Sequence, residues 1–526
     1  MAEREESQPL AGSRFLPWLL VALVIVFVGA IRLRLLQIPL ERDEGEYAYA
    51  GQLILQGIPP YQIAFNMKFP GTYAAYAAIM AIFGQSVWGI HVGFLLLNAG
   101  TIVLVCLLGK RLFTTLAGVA AAAAYAVLSL STGVLGTQAH ATHFVVAAVI
   151  GGTLLLLRAV EKPRPSTLFW SGVLYGVAIL MKQHGILIAA FAALFLLRTG
   201  FRKMALFCGG IAVPLVLAGL ALWQAGVFGK FWFWTITYAR EYAAELSISQ
   251  GITVFGSTFS QTVSRDLPLW ITAAAGLVLI WRKKEHRSAA KFVTAFLFFS
   301  FLAVCPGFYF RPHYFVLMLP GVALLAGAAL SCTIELLPAN AVRYGVYGVY
   351  ALVLLFPIAL QRVFFFQMTP QQASRALYGP EPFDEAIPIS AWIHAHSSKG
   401  SSIAVLGSEP EIPFYADRHS ATGYMYVYPL MEPQPFALTM QEEMIHDVES
   451  ARPEYVVVVT GGGSWAHRRG SPTLIFDWWR AYRAGHYKRV GLVDIISYDH
   501  TEYRWGGDVD SYGAPSPRTV VVYKRI

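Results

Sequence analysis

The most charged short segment of this apolar chain is Glu41-Arg42-Asp43-Glu44-Gly45-Glu46-Tyr47, which places four carboxylates within seven residues. It follows directly after the first long apolar run. The 369 residues before the tail contain thirteen acidic residues, so this segment holds nearly a third of them. Carboxylates act as general bases and bind cations. We therefore predict that the segment belongs to the catalytic centre of a membrane enzyme.

Other ionisable side chains fall at the ends of apolar runs rather than in their middle. Transporters usually hold ionisable groups or broken helices near the membrane midplane. The pattern here instead favours an active site formed where helix ends converge. The residues concerned are Asp43, Glu44, Lys68, His140, His143, Lys182, His184, Arg240, Arg311 and His313.

Several cations are predicted on the outer side of the membrane, where positive charge is less usual. A phosphate ester of a lipid carrier would account for them, because charged donors bind phosphate strongly. Contact with ordinary lipid head groups is the alternative for any one of them. The cations are Lys68, Lys182, Arg240, Arg265 and Arg311.

Two histidines, His140 and His143, have the spacing of neighbours on one helical face. Together with Asp43 or Glu44 they could hold a divalent metal, since imidazole and carboxylate are common metal ligands. The alternative is that both merely form hydrogen bonds at a helix end. No cofactor is certain from the sequence.

The composition places these residues in a polytopic membrane protein. Hydrophobic residues make up 56% of the chain, charged residues 13%, and the mean hydropathy is +0.52. Apolar runs of about 17–25 residues can each cross a bilayer as a helix. We predict eleven spans, near residues 15–36, 88–109, 115–134, 142–159, 167–182, 185–198, 204–224, 267–281, 290–306, 313–333 and 343–362.

The positions of Lys and Arg predict the orientation of these spans. They cluster in every second loop, at residues 110–111, 158–164, 198–203 and 282–287, and Arg343 marks a fifth such loop. These loops are cytoplasmic in one consistent threading, with the N-terminus inside and the C-terminus outside. The net charge of +9 mostly reflects this bias, since residues 1–369 carry 26 Lys and Arg against 13 acids. Nucleic-acid binding is therefore not indicated.

Three domains follow from this topology. Residues 1–14 form a cytoplasmic tail, residues 15–362 form the transmembrane module, and residues 363–526 form an external soluble domain. Alternating strands and helices in the last region predict an α/β domain with a largely parallel sheet. Its glycine run at 461–463 lacks phosphate-binding spacing and is interpreted as a loop.

The outer loop 37–87 is too apolar for a flexible connector. Residues 47–55 and 73–83 are predicted to form short amphipathic helices on the membrane surface. A second outer segment contains Phe231-Trp232-Phe233-Trp234. This aromatic cluster fits either the interfacial belt or the lining of a lipid groove.

Four motifs together resemble a known superfamily. They are Asp43-Glu44 after the first span, Lys68-Phe69-Pro70 about 25 residues later, Gly176–Lys182 at a span end, and Arg311-Pro312-His313-Tyr314 at another. In order and topology the chain is similar to the polyprenyl-phosphate-sugar-dependent membrane glycosyltransferases of the GT-C fold. The nearest branches are the protein O-mannosyltransferase-like enzymes and the transferases that add aminoarabinose or galacturonic acid to lipid A.

The resemblance implies roles for individual residues. Asp43 matches the catalytic aspartate, Glu44 completes its Asp-Glu pair, and Lys68 matches a lysine that contacts the carrier phosphate. Phe69 stands where that family has a proline, and residues 136–143 lack the acid found in many relatives. The predicted substrate-binding residues are Lys68, Arg42, Tyr47, Lys182, His184, Arg240, Arg311, His313 and Tyr314.

The expected function is transfer of a sugar from a polyprenyl-phosphate donor to an acceptor at the outer face of the cytoplasmic membrane. Asp43 would act as general base in one displacement that inverts the anomeric centre. The alternative is a retaining reaction, which would need Glu44 or Glu46 as a second, nucleophilic carboxylate. The acceptor is a lipid, a glycan or a protein. Two rival functions remain: a transporter or flippase for a lipid-linked substrate, and a non-catalytic envelope assembly protein that binds glycan.

Overall fold

The computed structural model describes residues 15–338 and 341–526, so the predicted cytoplasmic tail at 1–14 lies outside the described residues. The described chain is mainly helical and ends in a six-stranded sheet. It divides into two compact units. Unit 1 comprises residues up to 35, 92–218 and 246–367; unit 2 comprises residues 36–91, 219–245 and 368–526.

Seventeen α-helices precede the tail in the described residues. They are α1 (Leu16–Arg34), α2 (Arg42–Leu55), α3 (Gly71–Phe83), α4 (Val87–Leu112), α5 (Thr115–Leu128), α6 (Ala141–Glu161), α7 (Pro165–Met181), α8 (Gly185–Leu197), α9 (Phe201–Gln224), α10 (Phe228–Trp232), α11 (Ala239–Ala244), α12 (Ile248–Ser264), α13 (Leu267–Arg282), α14 (Arg287–Leu302), α15 (Leu319–Leu336), α16 (Ala341–Leu360) and α17 (Arg362–Phe366).

The helices confirm an integral, multi-pass membrane protein. Six described helical segments are long and apolar enough to cross a membrane, or seven if the bent pair α12 and α13 forms one span. Each of the eleven predicted spans overlaps a helix. Several of these helices, such as α5 with 14 residues and α8 with 13, are shorter than a bilayer requires. The count of eleven spans therefore stays a prediction.

The interior of unit 1 is built around α15, which is buried along nearly its whole length. It packs against α5 and α13, and small residues allow the backbones to approach closely. A side chain at Gly327 would meet the backbone of Ala117 and Ala121 on α5, and one at Gly276 would meet Leu325. Glycine at these positions therefore lets the backbones of neighbouring helices pack in direct contact.

Unit 2 contains the acidic segment, and the helix that carries this segment starts earlier than predicted and is more buried. Helix α2 begins at Arg42, five residues before the predicted start, because the Glu41 side chain caps it by accepting a hydrogen bond from the Glu44 amide. Residues 44–53 are all buried. The helix therefore lies inside the protein instead of on an exposed amphipathic surface.

The aromatic cluster of unit 2 is also partly interior. Trp234 and Tyr238, on a π-helical segment, are buried, whereas Trp232 is exposed. Trp234 stacks on Phe65 with ring centroids 5.2 Å apart, and the Tyr238 hydroxyl donates to Glu432. Trp234, a ring of the cluster expected at a membrane interface or lipid groove, thus packs within unit 2.

The tail of unit 2 has the predicted alternation of helices and strands. Its elements are α18 (Pro370–Tyr378), α19 (Phe383–His396), β1 (Ser402–Leu406), α20 (Glu411–Ala416), β2 (His419–Ser420), α21 (Ala437–Ala451), β3 (Tyr455–Val459), α22 (Gly462–Trp465), α23 (Leu474–His486), β4 (Tyr487–Ile495), β5 (Thr501–Trp505) and β6 (Thr519–Arg525). Within the glycine run interpreted as a loop, Gly461 precedes the single helical turn α22, and Gly462 and Gly463 begin it.

The prediction of a largely parallel sheet is wrong. The strand order is β2-β1-β3-β6-β4-β5, in which only the pairs β1–β2 and β1–β3 are parallel. The pairs β3–β6, β4–β6 and β4–β5 are antiparallel. Parallel pairs need a long crossover, whereas the short connection from β4 to β5 permits a hairpin. The last strand then fills the space between β3 and β4.

Unit 2 joins its N-terminal loop to its tail at several places, and the contact between Phe65 and Gly423 is among the tightest. The Phe65 amide donates to the Gly423 carbonyl at 3.0 Å, and a side chain at Gly423 would overlap the Phe65 ring. Only glycine at position 423 lets these two segments meet, because any Cβ there would displace the Phe65 ring.

We expect Gly423→Ala to lower the free energy of unfolding by about 1–3 kcal/mol through this overlap. Thermal unfolding of the purified protein in detergent measures the effect. Gly513→Ala is the matched control, since a side chain there meets open space. Equal melting temperatures for the two variants would contradict the tight contact.

Candidate functional site

Helix α2 sets the directions of the acidic side chains. Residues three apart on a helix are neighbours, so Asp43 and Glu46 share one face, whereas Glu44 points elsewhere. Glu44 lies 3.0 Å from Nε2 of His91, and Nδ1 of that histidine lies 2.7 Å from the Leu36 carbonyl. The sequence pair Asp43-Glu44 is therefore split in space, and the spatial partner of Asp43 is Glu46.

Lys68 joins the two carboxylates that share a face. Its Nζ lies 2.6 Å from Oδ1 of Asp43 and 2.6 Å from Oε2 of Glu46. The ammonium also lies over the ring of Tyr47, 4.6 Å from the centroid, and 5.4 Å from that of Tyr426. Such cation–π contacts add to the attraction.

The surroundings of Lys68 keep it charged. Burial by itself lowers the pKa of a lysine, but here the carboxylates of Asp43 and Glu46 outweigh burial and hold the pKa of Lys68 above its ordinary value. The backbone is fixed as well, since the Tyr61 hydroxyl donates to the Lys68 carbonyl at 2.7 Å. The site therefore carries a permanent positive charge between two acids.

Glu46 is the most enclosed member of this group. Its side chain is 0% exposed, compared with 23% for Asp43 and 19% for Lys68. The Tyr73 hydroxyl donates to its Oε1, and Asn66 Nδ2 donates to its Oε2 at 2.9 Å. The family resemblance assigned no role to Glu46. The signal that could have found it is its spacing of three residues from Asp43, which places both on one helical face.

The tail also supplies a side chain to this site. The Tyr426 hydroxyl lies 3.0 Å from the Arg42 carbonyl and 3.2 Å from Oδ1 of Asp43. The Tyr426 ring stacks on that of Tyr428, with centroids 5.1 Å apart. Nothing in the sequence marked Tyr426, because it lies 383 residues from Asp43.

Arg42 faces the tail rather than Lys68. Its Nε donates to the Ser408 carbonyl at 2.6 Å, and its NH2 group lies 2.9 Å from Glu381 and 3.3 Å from Glu409. Burial raises the pKa of Glu409, against the opposing effect of Arg42. Burial also raises the pKa of the nearby Glu411. Arg42 therefore ties α2 to the tail.

Unit 1 holds a second group of predicted site residues. Lys182 Nζ lies 4.1 Å from the ring centroid of Tyr314, and the rings of His184 and His313 each meet Tyr314 edge-on at 4.8 Å. His184 also places Nδ1 2.7 Å from the Ala303 carbonyl. Burial and the charge of Lys182 lower the pKa of His184 to about 3, which keeps this imidazole neutral.

The expectation that His140 and His143 share a helical face is wrong. His140 is the residue before α6, with φ −60° and ψ 147°, so it lies outside the helix. Its ring stacks on His313, with centroids 4.2 Å apart, while His143 packs edge-on against Phe94 at 4.8 Å. The histidine pair that the fold brings together is therefore His140 and His313.

The three remaining predicted cations are peripheral within their own units. Arg265, directly after the end of α12, is exposed. Arg240 lies exposed on α11. Arg311 is exposed, with its guanidinium 5.4 Å from the ring centroid of Tyr309.

Comparison with known proteins supports the fold. A family model described as dolichyl-phosphate-mannose-protein mannosyltransferase matches residues 68–223. No curated protein matches the sequence. Among solved structures, the protein is similar to ArnT from Cupriavidus metallidurans bound to undecaprenyl phosphate, with a TM-score of 0.60 and 16% identity over 97% of this chain and 98% of that one.

The chain is also similar to the oligosaccharyltransferase AglB from Archaeoglobus fulgidus. A complex of AglB with an inhibitory peptide and a dolichol-phosphate gives a TM-score of 0.51 at 14% identity, over 94% of this chain and 75% of that one. A complex with Zn and sulfate gives 0.50 at 14% identity, over 92% and 73%. The protein therefore has the GT-C fold, as the sequence motifs predicted.

We expect Lys68→Met to lower the free energy of unfolding by about 3–5 kcal/mol, because it leaves the buried carboxylate of Glu46 without a counter-ion. The double variant Lys68→Met/Glu46→Gln should recover most of this loss, since it also removes the buried charge. Chemical unfolding of the four proteins of the cycle measures the coupling. Additive effects of the two substitutions would show that the pair does not interact.

Proposed function

We propose that this membrane protein with the GT-C fold transfers a sugar from a polyprenyl-phosphate donor to an acceptor hydroxyl. The reaction takes place at the outer face of the cytoplasmic membrane, to which the distribution of Lys and Arg assigns both the loop 37–87 and the domain 363–526. The acceptor is a lipid, a glycan or a protein.

The observation that carries the proposal is the direct contact of Lys68 with Asp43 at 2.6 Å. One group can hold the phosphate of a donor, and the other can accept a proton beside it. A general base must lie within hydrogen-bond reach of its proton, and a cation must lie beside the leaving group. A single ion pair therefore provides both requirements of the reaction.

The reaction needs one displacement. The acceptor oxygen attacks the anomeric carbon while Asp43 accepts the hydroxyl proton. The bond between that carbon and the phosphate oxygen breaks, and its electron pair leaves with the polyprenyl phosphate. Lys68 stabilises the negative charge that develops there. Attack opposite to the leaving group inverts the anomeric configuration.

A retaining reaction is disfavoured by the position of the second carboxylate. Retention requires a nucleophilic carboxylate that reaches the sugar. Glu46 is fully buried and accepts from Tyr73, Asn66 and Lys68, so its oxygens are occupied inside the protein. Asp43 is the partly exposed member of the pair, which suits a base that must meet an external hydroxyl.

The donor class is supported by the two similar structures, since ArnT was solved with undecaprenyl phosphate and AglB with a dolichol-phosphate. Within unit 1, Lys182 beside Tyr314 adds a cation and an aromatic face that suit a phosphorylated sugar. Arg311 and Arg240 belong to the proposed substrate-binding residues as cations, and His184 and His313 belong to them as imidazole rings that can form hydrogen bonds.

A divalent metal is a further component of the proposal. The A. fulgidus enzyme was solved with Zn and sulfate. In this chain one ring nitrogen of His140 lies within 4.8 Å of one ring nitrogen of His313, and neutral imidazole is a common metal ligand. These residues would hold the metal, which would supply positive charge for the phosphate.

We expect Asp43→Asn to lower sugar transfer by about 10²–10⁴-fold, the usual contribution of a general base. Mass spectrometry of envelope glycolipids and glycoproteins from cells that carry each variant identifies the missing product. Asp447→Asn, a substitution on the tail helix α21, is the control. An unchanged glycan profile with Asp43→Asn would exclude the proposed chemistry.

We expect undecaprenyl phosphate to raise the melting temperature of the wild-type protein in nanodiscs, because a ligand that binds only the folded state stabilises it. The variant Lys68→Met/Glu46→Gln should lose most of this increase while it remains folded. Undecaprenol, which lacks the phosphate, is the matched control ligand. Equal stabilisation of both proteins would exclude Lys68 as the phosphate anchor.

A further inference from the structure

The two carboxylates that contact Lys68 lie at the same distance from it but differ in exposure. Both lie 2.6 Å from its Nζ. Glu46 is 0% exposed, whereas 23% of the Asp43 side chain is exposed. Water screens the exposed interaction and leaves the buried one strong. The Glu46 carboxylate is therefore closed to solvent, whereas the Asp43 carboxylate is open to it.

Glu46 also accepts hydrogen bonds from two uncharged side chains. Tyr73, from α3, donates to its Oε1, and Asn66 donates to its Oε2. The Asn66 oxygen accepts from the Met67 amide at 2.6 Å, which fixes the amide group so that its NH2 faces Glu46. Two elements of unit 2 thus keep this carboxylate in one orientation.

Lys68 has three N–H donors, and the two carboxylates engage two of them. With Glu46 as a permanent partner, the ammonium stays in place when its contact with Asp43 is given up. A phosphate oxygen can then take the place of Asp43 on Lys68. Lys68 and Glu46 remain paired throughout this exchange. No buried charge therefore loses its counter-ion, a loss that would be energetically costly.

We propose that Glu46 is a positioning residue: the fixed counter-ion of Lys68, which allows Asp43 to leave the ion pair and act on the acceptor when the donor phosphate binds. This inference rests on the proposed transferase function and adds a role for a residue beyond the Asp43-Glu44 pair. Glu46 touches no substrate and acts through Lys68.

Isotope-coded acetylation with acetic anhydride at a fixed alkaline pH tests whether Glu46 affects Lys68 more strongly than Asp43 does. Only the neutral amine reacts, so the rate rises about tenfold for each unit by which the pKa of Lys68 falls. The exposed Lys399 in the same protein serves as the internal reference. We expect Glu46→Gln to accelerate acetylation of Lys68 at least tenfold, and at least threefold more than Asp43→Asn does.

The control is Glu443→Gln, which removes a carboxylate 3.6 Å from a different lysine, Lys230. It should leave Lys68 unchanged. Circular dichroism and size-exclusion chromatography verify that every variant is folded, so a merely structural loss cannot mimic the result. An equal or larger acceleration with Asp43→Asn, or none with Glu46→Gln, would overturn the counter-ion role.

Addition of undecaprenyl phosphate separates this inference from the proposed function. In the wild type the lipid should slow acetylation of Lys68 at least threefold, and undecaprenol should not. If the asymmetry holds but the lipid gives no protection, the counter-ion role stands and the proposed donor is wrong. If the lipid protects but the asymmetry fails, the donor stands and Glu46 has no such role.

Discussion

The ammonium group of Lys68 and the two carboxylates around it constrain the rest of unit 2. A buried carboxylate such as Glu46 is unfavourable without a cation, and a buried lysine is unfavourable without an anion. Each therefore requires the other, and both require that the loop carrying Lys68 stay against α2. Tyr61 and Asn66 fix that loop through hydrogen bonds to the lysine backbone and to Glu46.

The tail takes part in this arrangement and is more than an appended domain. Arg42 donates to the Ser408 carbonyl and lies beside the acidic side chains of Glu381 and Glu409, so the first turn of α2 is bound to the tail on one side. Tyr426 approaches the same turn from another side and touches Asp43. Loss of tail packing would therefore displace the proposed base. This dependence gives a physical reason for one unit to combine the outer loop with the C-terminal residues.

Several sequence expectations failed, one because a local helix cap was missed and others because tertiary packing decided the outcome. Periodicity placed the start of the helix at Tyr47, but the cap supplied by Glu41 extends it to Arg42. Spacing suggested that His140 and His143 share a face, but His140 precedes the helix and stacks on His313. The parallel sheet was inferred from alternating elements, and strand order does not follow from alternation.

The sequence by itself determined the membrane class and the concentration of acids at residues 41–46, because hydropathy and charge are properties of composition along the chain. Through its motifs, which resemble those of known glycosyltransferases, it also predicted the GT-C fold. It also singled out Asp43 and Lys68. Only the tertiary structure decided that Glu46, not Glu44, shares the lysine, and that Tyr426 reaches Asp43 across 383 residues. Sequence patterns report neighbours within a helix or strand, whereas contacts between distant residues depend on how whole elements pack.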